Sequence, residues 1–135
     1  MSMSRLIWIA LALAVAGAFV RMLLVTSMDD GLDDVQIAAV RAASSAPDPA
    51  DPRHERSISL LGAEWCGFCR QLEAEFDAKG VKYSLIDIDT EAGDRAMKAL
   101  GARAVPVLVV GRTAIEGYDE DRTRELLGRL GYRVF

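Results

Sequence analysis

Residues 57–135 predict an α/β domain with the element order β-α-β-α-β-β-α, set behind an N-terminal hydrophobic helix. Three observations predict it. Apolar spacing switches repeatedly between period two and helical intervals. Gly80 and Gly101 stand where helices should stop. Gly111 and Arg112 separate two short apolar runs, with glycine first as a type II′ hairpin prefers.

The elements follow in order. Ile58 and Leu60 alternate with Ser57 and Ser59 in a first strand, and 62–65 reads as a turn. Residues 66–79 predict a helix with Phe68, Leu72 and Phe76 at helical intervals. Val81, Tyr83 and Leu85 alternate into a second strand that ends near Asp87, Ile88 and Asp89. Thr90 is placed to cap a helix running to Leu100. Residues 105–110 form a third strand and 113–116 a fourth, paired as an antiparallel hairpin. Asp119 caps the last helix, whose inner face carries Leu126, Leu127 and Leu130. A strand–helix–strand crossover of this kind is expected to be parallel and right-handed.

The first half of the chain is different in kind. Residues 6–20 are 15 consecutive apolar residues, with Arg5 before them and Arg21 after. A helix of that length covers about 22 Å of a roughly 30 Å hydrocarbon core, whereas 6–25, with Arg21 snorkelling, covers the whole. Two readings compete: an uncleaved membrane anchor, or a secretory signal cut after Ala16 or Ala18. The apolar character continues past both cut sites and favours the anchor. Either way the C-terminal domain is expected outside the cytoplasm, as a secreted or periplasmic protein if the segment is cleaved. Residues 29–43 predict a short amphipathic helix with Asp33 or Asp34 at its start. Residues 44–56 hold three of the four prolines and read as a semi-rigid linker. The expected organisation is 1–28 anchor or signal, 29–56 helix and linker, and 57–135 domain.

Charge and cysteine usage narrow the function. Net charge is −4, from seven acidic against five basic residues in 1–56 and thirteen against eleven in 57–135. Neither half is basic, which argues against nucleic acid as a partner. Hydrophobic residues at 51% exclude a disordered chain. The only cysteines are Cys66 and Cys69, which excludes a disulfide-stapled scaffold. Together with the one histidine, His54, they fall short of a four-ligand metal shell, so no metal site is expected. His54 lies in the linker and reads as a solvated residue.

The run W-C-G-F-C opens a helix directly after a strand. Thiolate, not thiol, attacks a disulfide, and the unpaired N–H groups of a helix N-terminus stabilise it. In such motifs a cysteine pKa falls from about 8.5 to roughly 3.5–7.5. Cys66 is expected at the terminus with its sulfur facing solvent, and Cys69 beneath it in the first turn. The two-residue spacer lets the sulfurs meet without moving the backbone. Cys66 then attacks a substrate disulfide and Cys69 resolves the mixed disulfide. Trp65 and Phe68 supply an apolar rim. Pro106 begins an apolar strand, where it is either an ordinary strand-start proline or the mark of an imposed shape, including a cis Val105–Pro106 bond.

W-C-G-F-C, the run L-G-A-R-A-V-P at 100–106 and V-G-R-T-A-I-E-G-Y-D at 110–119 resemble the thioredoxin superfamily, and within it the glutaredoxins. The resemblance covers 57–135, or 79 of 135 residues. It implies a thioredoxin-like, glutaredoxin-type four-stranded mixed sheet flanked by helices, with Cys66 as nucleophile, Cys69 as resolving thiol and Pro106 in cis beside them. It further implies that Val105 pairs through its main chain with a bound peptide or glutathione. The loop of Gly117, Tyr118 and Asp119 would receive a γ-glutamyl end, and Arg103 a glycyl carboxylate. No cofactor is required; glutathione is a candidate co-substrate. The chain departs from the glutaredoxin pattern at Trp65 and Gly67, which are more like thioredoxin. It departs also at Ala63, Ala104 and Glu116, where a basic residue, a Thr and a Gly are usual. Glu116 adds negative charge where a glutathione carboxylate would dock.

The expected activity is thiol–disulfide exchange on protein or small-molecule disulfides. C-G-F-C also resembles the C-G-F-S of cluster-binding glutaredoxins, so the alternative is a glutathione-dependent module for a 2Fe–2S cluster. A purely structural staple is disfavoured, since so small a ring removes little chain entropy.

Overall fold

The strand centred on Leu60 has no polar face. All five residues of β1 (Ile58–Gly62) are buried, Ser59 among them. The cause is its place in the sheet. In the computed structural model, which describes residues 31–44 and 55–135, the strand order is β2-β1-β3-β4, and helices cover both faces. β2 (Ser84–Asp87) runs parallel to β1; β3 (Val107–Val110) pairs antiparallel with β1 and with β4 (Thr113–Glu116). The helices are α1 (Asp34–Ala43), α2 (Gly67–Ala78), α3 (Glu91–Leu100) and α4 (Glu120–Arg129). This is the expected four-stranded mixed sheet.

Strand pleating divides the core into two. Ile58, Leu60, Leu108, Val110 and Ile115 point to one face, where Leu72 and Phe76 of α2 and Leu127 of α4 meet them. Leu61, Ile86, Val107 and Val109 point to the other, beneath Ala96 of α3 and Val40 of α1. The helix predicted at 29–43 is therefore α1, packed on the sheet, with Asp33 and Gln36 forming a capping box at its start. Gln36 Nε2 donates to the Ala99 carbonyl of α3 at 3.1 Å, and Arg112 pairs with Asp34 at 2.9 Å.

Most stop and start signals act where expected. Thr90 caps α3 and Gly101 ends it; Asp119 caps α4. Gly111 has φ 57°, and a Cβ there would lie 2.6 Å from the Glu55 carbonyl oxygen, so the hairpin admits only glycine at that position.

Three expectations are corrected. The alternation of Val81, Tyr83 and Leu85 does not mark one strand: 81–83 is irregular, β2 starts at Ser84, Leu85 is exposed and Ile86 is the buried residue. Phe68 does not join Leu72 and Phe76 inside; Cys69 takes the inner position one residue later. Pro106 precedes β3 instead of lying in it, so its missing N–H removes no ladder bond. The hydrophobic segment 6–25 and His54 lie outside the described residues. Among those described, no helix is long and apolar enough to cross a membrane.

Candidate functional site: a dithiol at a helix N-terminus

Cys66 is the N-cap of α2, with extended backbone, and its Sγ accepts the N–H of Cys69 at 3.1 Å. The side chain thereby satisfies one of the donors that a helix start leaves unpaired. Cys66 and Cys69 form a disulfide across a Cα–Cα distance of 5.3 Å, inside the range normal for such bonds. Cys66 retains 7% of its surface and Cys69 none, so the pair has an outer and an inner sulfur. The outer one is more covered than expected, because Ala63 and Val105 pack around the pair. Gly67, by contrast, is open, with nothing within 4 Å of where a Cβ would stand.

The rim is aromatic and anchored. Trp65 is 66% exposed, yet its indole N–H donates to Asp89 Oδ2 at 3.0 Å. Asp89 in turn donates its backbone N–H to Asp87 Oδ1 at 2.9 Å. Phe68 is also exposed and stacks on Tyr118, with ring centroids 5.3 Å apart and planes 27° apart. The Tyr118 hydroxyl donates to Glu120 at 2.8 Å and accepts from Gln71 at 3.0 Å. Burial first, then the hydrogen bond to Glu120 and its charge, push the Tyr118 phenol up to about 12.

The loop before β3 forms the remaining wall. The Val105–Pro106 bond is cis, and Pro106 is buried. Gly117 N–H donates to the Pro106 carbonyl at 2.8 Å. Asp119 Oδ1 accepts the Arg122 N–H at 2.9 Å and so caps α4. Arg103 is exposed; its backbone N–H, with that of Ala104, donates to Glu116 Oε1, each at 2.7 Å. Glu116 and Asp119 thus each accept backbone N–H groups in this wall of the site.

The structure brings Cys66, Cys69 and Val105 into one cluster and joins Phe68 to Tyr118 and Gly117 to Pro106. The Arg103 guanidinium makes no ion pair among the described residues. Sequence reasoning missed the contacts of three residues. Asp89, assigned no role, holds Trp65. Glu116 reaches back across 12 and 13 positions. Gly62, read as a turn residue, ends β1 against the inner sulfur, where a Cβ would lie 3.2 Å from Cys69 Sγ. A groove of about 520 Å³ lined by Ala63, Glu64, Arg70, Glu73 and Leu85 adjoins the site's base but includes neither sulfur. Among the described residues no three His, Cys, Asp or Glu side chains assemble as metal ligands.

Comparison with known proteins agrees with this geometry. The glutaredoxin family model matches residues 58–115. A glutaredoxin of Ricinus communis is 28% identical over 79 residues, which span 55% of this chain and 78% of that one. Among solved structures, a mutant of the thioredoxin-like protein BC3987 aligns with a TM-score of 0.50 at 18% identity, covering 53% of this chain and 95% of that chain. Wheat glutaredoxin aligns with a TM-score of 0.49 at 23% identity, covering 73% and 88%. The matched region carries the dithiol, and the sheet order fits the fold. Over residues 58–115 the chain is similar to the glutaredoxins, its fold is thioredoxin-like, and the enzymatic class these similarities support is that of a thiol–disulfide oxidoreductase.

Proposed function

We propose that Cys66 and Cys69 exchange disulfides with polypeptide substrates through a mixed-disulfide intermediate. In the reduced protein the Cys66 thiolate attacks one sulfur of the substrate disulfide. That bond breaks, the departing sulfur takes up a proton, and Cys66 is joined to the substrate. Cys69 loses its proton and attacks Cys66 Sγ. The substrate's second sulfur leaves, and the Cys66–Cys69 disulfide forms. Two electrons pass from dithiol to substrate, and the reverse sequence oxidises a substrate dithiol.

The observation that carries this reading is the N-cap position of Cys66, with its sulfur on the Cys69 N–H. The same kind of amide that donates to a capping oxygen at other helix starts stabilises a thiolate here. Val105, packed against the cluster of Ala63, Cys66 and Cys69, is the main-chain edge on which an extended substrate would lie. Polypeptide is favoured over glutathione by the acids around the loop at 116–121: Glu116, Asp119, Glu120 and Asp121 oppose an anionic tripeptide. A tether through residues 6–25, with the domain outside the cytoplasm, completes the proposal; the apolar run at 6–20, resumed at 22–25, supports the tether.

The test is cysteine replacement. Cys66→Ser should abolish insulin reduction by the dithiothreitol-charged protein, and Cys69→Ser should accumulate a covalent substrate adduct that dithiothreitol releases. Full activity in both variants overturns the mechanism.

A further inference from the structure

Glu116 is the last residue of β4, paired in register with Val107 of β3. Its carboxylate does not face a cation: among the described residues it makes no ion pair. Instead Oε1 accepts two consecutive backbone N–H groups, those of Arg103 and Ala104, at 2.7 Å each. The following residue, Gly117, donates its N–H to the Pro106 carbonyl at 2.8 Å. Residues 116 and 117 thus grip the segment 103–106 at both ends, with Val105 between the two grips.

That segment lies outside the strands and helices, between α3 and β3. No ladder pairs the N–H groups of Arg103 and Ala104, so the side chain of Glu116 is what fixes them. Hydrogen bonds to an ionised acceptor are about twice as strong as neutral ones, and two on one oxygen restrict the peptide planes of both residues. Val105 is the next residue and packs on Cys66 and Cys69.

We propose that Glu116 is a positioning residue for substrate docking: its carboxylate sets the main-chain orientation of Val105 beside the nucleophile. The inference rests on the reading of Val105 as the edge that a polypeptide disulfide lies along. Glu116 touches neither sulfur in the hydrogen-bond network, so its action falls on binding, not on the chemical step.

The test compares the full-length protein with its Glu116→Ala, Glu116→Asp and Glu116→Gln variants, with insulin as the disulfide probe. Glu116→Ala should raise KM about tenfold, the equivalent of one charge-assisted hydrogen bond, with kcat within about twofold. Hydrogen exchange at the Arg103 and Ala104 amides should accelerate. Glu116→Gln keeps an acceptor oxygen and should recover most of the lost KM. Glu116→Asp keeps the charge but is one methylene too short, and should behave as alanine does; it serves where the alanine variant does not fold. An unchanged KM despite faster amide exchange overturns the proposal, as does a glutamine variant no better than alanine. Loss of kcat with unchanged KM also overturns it. A Cys66→Ser protein that still reduces insulin sinks the underlying mechanism instead, so the two failures are distinguishable.

Discussion

Trp65 donates its indole N–H to Asp89, 24 residues further along the chain, and this one bond ties the rim of the dithiol to the loop that follows β2. The ring is 66% exposed, so this bond is the polar contact that fixes its orientation. In a Trp8→Phe background, which leaves Trp65 as the single tryptophan, Asp89→Ala should lower the tryptophan fluorescence anisotropy. Insulin reduction should fall about threefold, in keeping with loss of one exposed hydrogen bond. Unchanged anisotropy would show that packing alone holds the ring.

Cys66 in the reduced protein should titrate below the free-cysteine value of about 8.5, because it caps α2 and its sulfur accepts the Cys69 N–H of the first turn. The rate of iodoacetamide alkylation against pH measures it. A shift absent in the reduced protein would remove helix-terminus activation from the mechanism.

Two tyrosines should ionise late. Tyr118 is pushed up to about 12 by burial and Glu120, and Tyr83 to about 12 by burial and the Asp77 carboxylate it donates to. Both are raised above the ordinary phenol value of 10, so the folded state retains protons that the unfolded chain has released. The stability they contribute is complete below pH 10 and is lost as pH rises towards 12. Absorbance titration of phenolate should show a late component that Tyr83→Phe and Tyr118→Phe each diminish. The midpoint of urea unfolding should fall across that window, and less steeply in the double variant.

Gly111→Ala should destabilise the domain by about 1–2 kcal/mol from backbone strain alone, since the residue sits at φ 57°. The close approach of the Glu55 carbonyl adds to this, because a Cβ would meet it at 2.6 Å. Thermal melting of the oxidised protein measures the loss. For scale, Phe76→Ala, at a residue with 0% exposure, should cost about 3–5 kcal/mol. Neither change touches the dithiol, so activity per folded molecule should hold.

Local chemistry was legible in the sequence. Thr90 and Asp119 act within three residues of themselves, and so does Cys66, whose capping partner is three positions away. What needed the folded chain was long-range. Ser59 reads as a solvent-facing residue until helices cover both sides of β1. Val81 and Ile86 lie in opposite core layers, as their odd spacing allows, but Leu85, which shares the phase of Val81, is left exposed. Asp89 looks like a solvated acid and Glu116 like a charge at the docking loop, and nothing near them in sequence names their partners. Gly62 is one glycine in a turn-like run; its closeness to Cys69 arises only when α2 folds back over β1.

Val40, with 5% of its surface exposed, seals the sheet face formed by Leu61, Ile86, Val107 and Val109. A recombinant fragment trimmed to begin at Ser57 would keep both thiols and every strand, yet leave that aliphatic strip wet and adhesive. Expression boundaries for this protein should therefore be drawn ahead of Gly31, and a shorter version that precipitates would say nothing about its redox chemistry.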